Sequence, residues 1–219
     1  MPLIKTLYKP DQTVTGIWHI TESSDLLLSQ LDLSKEELKQ YLRFSHDLRK
    51  RQWLAYRCIL KQILFPDSNE LAYDEFGKPR LIHSPFAISV THAGDYAAAI
   101  CSKKITVGID IEKMRDRIER VKDRFLSPQE LEQIGPHPSL ELLYIYWCAK
   151  ESLYKLNGKP DLDFKNDIRI NAFGYLCNVS HTCTATLALG NTSLGCSFYY
   201  QLMDDYMMVV AYSNSEMGK

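Results

Sequence analysis

The chain has 219 residues, 45% hydrophobic and 24% charged, with 26 Lys plus Arg against 27 Asp plus Glu for a formal net charge of −1. That balance suits a globular protein with a sizeable core and excludes disordered, collagen-like and coiled-coil chains. It also supplies no global basic field, so nucleic acid is not an expected partner and any anion site has to be local. The six cysteines, Cys58, Cys101, Cys148, Cys177, Cys183 and Cys196, form no Cys-x-x-Cys pair. A chain this long needs no disulfide staples, so reduced thiols and a cytoplasmic location are expected. The late apolar run from Met207 to Tyr212 is far short of the ~20 residues of a membrane span, and no membrane association is expected.

Taken in chain order, residues 15–20 read as a strand. Ser34 with Glu37 three residues on is a capping-box signal and starts a helix. Over 46–64, Leu48, Trp53, Leu54, Tyr56, Ile59, Leu60, Ile63 and Leu64 fall on one broad helical face, which Pro66 ends. Short strands are expected over 80–83, 87–92, 96–101 and 105–111, separated by Gly, Pro or Asp turns. Ser127 and Pro128 open another helix as N-cap and first helical residue. A strong helix covers 139–157 and stops at Asn157-Gly158 and Pro160. From 168 to 213 the alternation predicts several antiparallel strands.

Two stretches echo one another about half a chain apart. Asp95-Tyr96 to Ser102 resembles Asp205-Tyr206 to Ser213, and Trp53-Leu54-Ala55 to Lys61 resembles Trp147-Cys148-Ala149 to Lys155. Chance matching of a helix face and a strand is the alternative. The expected fold is α+β, a pseudo-two-fold duplication with halves at 1–104 and 105–219, each a long helix packed on a small antiparallel sheet.

Four local patterns carry chemistry. In Val107-Gly108-Ile109-Asp110-Ile111-Glu112, strand alternation points Asp110 and Glu112 the same way, with Cα atoms ~6–7 Å apart. Paired carboxylates suit Mg²⁺, a hard cation that takes oxygen ligands; the alternative is a half-buried strand with solvated acids. In Trp147-Cys-Ala-Lys-Glu151-Ser-Leu-Tyr-Lys155, residues 147, 151 and 155 line one helix stripe, so Glu151 can add a metal ligand and Lys155 can reach a phosphate. A surface Glu–Lys pair is the plainer account. In Phe76-Gly77-Lys78-Pro79 the lysine is held between a permissive and a rigid residue, as it also would be in an ordinary hairpin turn. In Thr91-His92-Ala93-Gly94, His92 ends an apolar strand, where it either donates to a phosphate or serves the structure alone.

The ordered set Gly-Lys-Pro, Thr-His-Ala-Gly, Val-Gly-Ile-Asp-Ile-Glu, Phe-Leu-Ser-Pro-Gln-Glu and Trp-Cys-Ala-Lys-Glu-Ser-x-x-Lys runs from Phe76 to Lys155. In that order it resembles the 4′-phosphopantetheinyl transferase superfamily, of the surfactin-synthetase-activating type. The resemblance implies a Mg²⁺-dependent enzyme of the holo-acyl-carrier-protein synthase kind. Such an enzyme moves the phosphopantetheine arm of coenzyme A onto a serine of an apo carrier protein and releases adenosine 3′,5′-bisphosphate. The carrier would be an acyl carrier protein or a carrier domain of fatty acid, polyketide or nonribosomal peptide synthesis, and the enzyme a monomer. By the same resemblance, Asp110, Glu112 and Glu151 are the metal ligands and Lys155 lies near the transferring pyrophosphate. Lys78, Pro79, Thr91 and His92 hold coenzyme A, joined by an arginine before the first long helix, Arg51 being chosen among Arg49, Arg51 and Arg57. Glu130 matches the glutamate of the Phe-x-Ser-x-x-Glu motif. The base that takes the serine proton is left open among Glu151, a metal-bound water and Glu130. Cys148 and Ala93 stand where the family often has hydroxyl residues.

The stretch from Lys113 to Arg124 carries six basic residues against Asp116, Glu119 and Asp123. Beside the metal strand, and with a carrier implied by the resemblance, it is a candidate docking segment for an acidic helix; a solvated mixed-charge segment is the alternative. Two other functions compete with transfer. A non-catalytic coenzyme A-binding protein has no need of Asp110, Glu112, Glu151 and Lys155 together, and a Mg²⁺-dependent phosphohydrolase would turn over without a carrier.

Overall fold

Small residues and a broad apolar helix face build the first of two compact units, residues 1–104 and 105–219. The computed structural model describes residues 3–9, 13–64, 70–175 and 182–215, the first stretch by its backbone alone; Pro66 and Cys177 lie outside them. In the first unit, strands β1 (Leu3–Lys9), β2 (Thr13–His19), β5 (Ala87–Ala93) and β6 (Tyr96–Ser102) form an antiparallel sheet in the order β1-β2-β6-β5. On one face of β6, Ala97, Ala99 and Cys101 present little bulk, and α3 (Asp47–Ile63) packs there through Trp53, Leu54 and Cys58. Two short helices, α1 (Ser24–Leu28) and α2 (Lys35–Leu42), precede α3. A small hairpin, β3 (Leu71–Tyr73) and β4 (Pro79–Leu81), follows it. Helix α2 begins with the capping box Ser34–Glu37, both of its hydrogen bonds present.

The second unit pairs a five-stranded antiparallel sheet with one long helix. Its strands are β7 (Val107–Lys113), β8 (Ile168–Ile170), β9 (Cys183–Leu189), β10 (Thr192–Met203) and β11 (Tyr206–Ser213), in the order β7-β11-β10-β9-β8. Helices α4 (Lys122–Phe125), α5 (Pro128–Ile134) and α6 (Leu140–Asn157) follow β7 in sequence. Ser139 caps α6 by accepting from the Leu142 amide, and Gly158 ends it in the left-handed region at φ 75°. Leu143, Ala149 and Leu153 of α6 join Phe198, Met207, Val209 and Ala211 of the sheet in one core.

The α+β class expected from the sequence is what the structure shows. The strand expected over 80–83 stops at Leu81, and His83 adopts φ 57°, which extended backbone cannot accommodate. The stretch 116–121 is a 3-10 helix anchored by buried Ile118. Strand β1, helix α1 and strand β3 are elements that the periodicity did not announce. Among the described residues no helix is long and apolar enough to cross a membrane.

Cys58, Cys101, Cys148, Cys183 and Cys196 are all buried. Burial is the main cause that pushes the thiols of Cys101 and Cys183 up to about 11 and those of Cys58 and Cys196 up to about 12. The neutral thiols favour the folded state. Their stability contribution is complete below the unfolded value near 9 and is lost as pH rises from there through 11 to 12. A Cys177→Ser variant should therefore react with a thiol reagent at neutral pH only at its unfolding rate, and its urea midpoint should fall between pH 9 and 11. Fast labelling of any native thiol at pH 7 contradicts this.

Candidate active site

Strand β7 fixes the first two carboxylates. Its alternation puts Gly108, Asp110 and Glu112 on the face that α6 covers, so the acids are not the solvated outer face of an edge strand. Asp110 is only 4% exposed and Glu112 is half-buried. The close approach of α6 depends on Gly108: a Cβ there would lie 1.9 Å from the Ser152 carbonyl oxygen and 3.0 Å from the Leu156 nitrogen. Backbone atoms cannot yield that distance. Gly108→Ala should cost about 1–3 kcal/mol or more in denaturant unfolding, and it should lift Glu151 and Lys155 away from β7. An unchanged unfolding midpoint would show that α6 moves freely on the strand.

Glu151 and Lys155, one turn apart on α6, close the group. The Lys155 ammonium donates to Asp110 Oδ1 at 2.6 Å and to the Ile109 carbonyl at 3.2 Å. Burial first, and then the Asp110 charge, raise Glu151 to about 7, with Lys155 opposing. Burial and Asp110 likewise raise Glu112, opposed by a hydrogen bond from Trp147 and by the charges of Lys155 and Arg117. Burial pulls Lys155 down, but Asp110 and Glu151 outweigh it and the ammonium is held above its usual value. Three carboxylates thus share a poorly hydrated site with one ammonium, an arrangement with excess negative charge and oxygen donors only. That chemistry fits a hard divalent cation. Among the described residues no three acidic, His or Cys side chains are placed so as to hold a metal ion together; here the lysine ammonium stands on Asp110.

Neighbouring side chains hold this group. The Trp147 ring lies against Phe125 and Phe164, with centroids 5.1 and 5.7 Å away, while its indole N–H donates to Glu112. Fully buried Cys148 is hydrogen-bonded to Asp110, and its sulfur lies 3.6 Å from the Met207 carbonyl oxygen. Neither contact was legible in advance, because strand-to-helix pairing is long-range.

Glu130 is held in the core. It is 1% exposed, and its carboxylate is fully engaged. Oε2 accepts from the Ser127 amide at 2.8 Å and from Lys150 Nζ at 2.8 Å, and Oε1 accepts from the Ile170 amide at 2.9 Å. Lys150, also 0% exposed, completes its three donors on the Phe164 and Ile168 carbonyls, both at 2.6 Å. Glu130 therefore anchors α5, β8 and Lys150 to one another in this structure. The sequence signal for it was Lys150 itself, a charge in the middle of an apolar helix.

A second group lies within the first unit. His92, on β5, meets the Arg49 guanidinium, which also sits 5.6 Å from the Phe44 ring centroid. Of the three candidate arginines, Arg49 is thus the one placed with His92. Arg51 is turned to Asp47 at 2.9 Å, and Arg57 is buried against Glu37 and the Trp53 ring. Lys78 follows a turn in which Gly77 takes φ 81° and Asp74 Oδ1 accepts from the Lys78 amide at 2.9 Å. Burial lowers the Lys78 ammonium, partly offset by Asp74. Pro79 opens β4 opposite Tyr73, and Thr91 is buried within β5. A cavity of about 360 Å³ is lined by Arg43, Arg49, Phe44, Trp53, Tyr56 and Tyr73, a combination of cations and aromatic rings.

A family model of the 4′-phosphopantetheinyl transferase superfamily matches residues 106–202. That match lies wholly within the second unit. The superfamily match includes Asp110, Glu112, Glu130, Glu151 and Lys155, while Arg49, Lys78 and His92 precede it. The chain is 33% identical to a 4′-phosphopantetheinyl transferase of Bacillus subtilis over 137 residues, 58% of this chain and 61% of the relative. It is 31% identical to the 4′-phosphopantetheinyl transferase AcpT of Escherichia coli O157:H7 over 116 residues, 50% of this chain and 59% of that protein. It is 25% identical over 166 residues to the L-aminoadipate-semialdehyde dehydrogenase-phosphopantetheinyl transferase of Mus musculus, covering 65% of this chain and 53% of the relative. The chain thus spans about three-fifths of the length of the bacterial relatives it matches.

Proposed function

We propose that this protein transfers the 4′-phosphopantetheine arm of coenzyme A to a serine of an apo carrier protein, releasing adenosine 3′,5′-bisphosphate. The observation that carries the reading is the Lys155–Asp110 pair where α6 packs on β7, with Glu112 and Glu151 near enough to feel the same charges. Phosphoryl transfer is mainly positioning plus charge neutralisation, and this set provides both. The three carboxylates would hold Mg²⁺, which when bound neutralises charge on the pyrophosphate and orients it. Lys155 is in reach of the same region and can neutralise a phosphate oxygen. Glu151 is one candidate for the base that accepts the proton of the attacking serine. In the first unit, Arg49, His92 and Lys78 supply cationic donors for coenzyme A phosphates, and the cavity walled by Arg43, Phe44 and Trp53 suits a phosphorylated purine nucleotide. Arg51 stays a candidate, since its exposed i,i+4 pair with Asp47 is worth only ~0.3–0.5 kcal/mol and is readily exchanged.

The units are read as duplicates of one another. Support comes from a long helix carrying Trp-x-Ala and a sheet strand opening with Asp-Tyr in each. In one the Asp95 carbonyl accepts from the Ile20 amide at 2.7 Å, and in the other the Asp205 carbonyl accepts from the Met114 amide at 2.8 Å.

The carrier would dock on the segment after β7. Arg115, Arg117, Arg120 and Arg124 are exposed there, while Ile118 and Phe125 anchor it to the core. Tyr144 pins the segment by accepting from the Arg115 amide at 3.0 Å and donating to its carbonyl at 3.3 Å. An exposed charge pair is worth about 0.2–1 kcal/mol. Arg117→Ala with Arg120→Ala should therefore raise the KM for the carrier up to roughly tenfold and leave coenzyme A affinity unchanged. An unchanged carrier KM rules this segment out.

The deciding experiment is mass spectrometry of an apo acyl carrier protein incubated with the protein, coenzyme A and Mg²⁺. A mass gain of one phosphopantetheine arm, abolished by EDTA, supports transfer. Several unmodified carriers together with retained coenzyme A binding would favour a binding protein. Adenosine bisphosphate released without a carrier would favour a hydrolase.

A further inference from the structure

We infer that Lys155 is a resident cation of the carboxylate site and competes with the divalent metal for Asp110. The inference rests on the transferase reading for the metal's role, but its geometry stands independently. The ammonium contacts Asp110 Oδ1 at 2.6 Å, the distance of a strong charge-assisted hydrogen bond, and is also tied to the Ile109 carbonyl at 3.2 Å. Glu151, one turn away on the same helix, and Glu112, two residues along the strand, feel the same ammonium charge. The lysine therefore offsets part of the mutual repulsion of three carboxylates that Gly108 and the close approach of α6 force together. A metal bound to Asp110 meets a like charge a few ångströms away in a poorly hydrated site, where such repulsion is strong.

Two consequences follow for the loaded site. The metal alone binds weakly, because it must move Lys155 off Asp110. The pyrophosphate of the substrate gives the ammonium another anionic partner, so metal and substrate enter together, with Lys155 exchanging a carboxylate for a phosphate oxygen. The partly exposed Lys155 side chain, 30% accessible against 6% for Asp110, has room to make that exchange.

The test measures Mn²⁺ binding by electron paramagnetic resonance in the absence of coenzyme A. Lys155→Met should bind Mn²⁺ at least about tenfold more tightly than the wild type, and Lys155→Arg, which keeps the charge, should stay weak. Thermal unfolding should show a lower Tm for metal-free Lys155→Met and a larger rise with Mn²⁺. Lys155→Gln, which keeps a hydrogen-bond donor, serves if the methionine variant does not fold without metal, with the same tightening expected. Mn²⁺ affinity in the neutral variants equal to or weaker than that of the wild type overturns the inference. Carrier modification by the wild type is scored in parallel. If the wild type modifies no carrier, the transferase reading fails and the metal comparison still decides the competition. If it modifies carrier and the neutral variants gain no affinity, the competition alone fails.

Discussion

Glu130→Ala should destabilise the protein by about 3–5 kcal/mol, the range for removing one partner of a buried ion pair. The size follows from what is left behind. Lys150 is completely inaccessible, and without Glu130 its ammonium keeps only the Phe164 and Ile168 carbonyls. The Ser127 and Ile170 amides lose their acceptor in the same step, and with it α5 loses half of its capping box. Lys150→Met should cost less, because the stranded carboxylate keeps two backbone N–H donors. Glu130→Gln combined with Lys150→Met should recover a substantial part of the loss, since no unpaired charge then lies in the core. Urea unfolding of the wild type, Glu130→Gln, Lys150→Met and the double variant measures the cycle. A Glu130→Gln variant with wild-type stability but strongly reduced carrier modification would return Glu130 to the chemistry.

This pair also shows where reading the sequence reached and where it stopped. The N-cap at Ser127 followed by Pro128 was legible because it is a local pattern; the Glu130 half of the capping box was not read. That the Glu130 carboxylate reaches forty residues onward to the Ile170 amide was not legible, because strand β8 meets α5 only through tertiary packing. The i, i+2 pair Asp110–Glu112 and the i, i+4 pair Glu151–Lys155 could be read in the same way, as local periodicities. Their convergence could not, since it depends on how closely α6 approaches β7. Gly108 carried that information, but a glycine in a strand has several explanations until the Ser152 carbonyl is seen against it. Arg49 was passed over for Arg51 for a related reason. On a helix turn carrying three basic residues, spacing does not say which one faces β5, and the structure puts Arg49 on His92.

Asp110→Asn should reduce carrier modification by on the order of 10²–10³-fold or more, the scale for removing one preorganised charge-stabilising group from a site of this kind. Asparagine has the size and shape of aspartate, so the Gly108-mediated packing of α6 on β7 and the fold itself should persist, and thermal unfolding should confirm that. What changes is charge. The site loses one of its oxygen anions for a divalent cation, and Lys155 loses the carboxylate that holds it at 2.6 Å. Under the proposed function both effects would act on the transferring pyrophosphate rather than on the nucleotide end of coenzyme A, whose proposed contacts are Arg49, His92 and Lys78. The loss should therefore fall on kcat, with the affinity for coenzyme A measured in EDTA nearly unchanged. That split separates the readings. A pure coenzyme A-binding protein would show the unchanged affinity but no modification to lose. A hydrolase would lose its carrier-independent release of adenosine bisphosphate in parallel. An Asp110→Asn protein that modifies the carrier at the wild-type rate would remove Asp110 from the reaction and leave its pairing with Lys155 as a purely structural tie between β7 and α6.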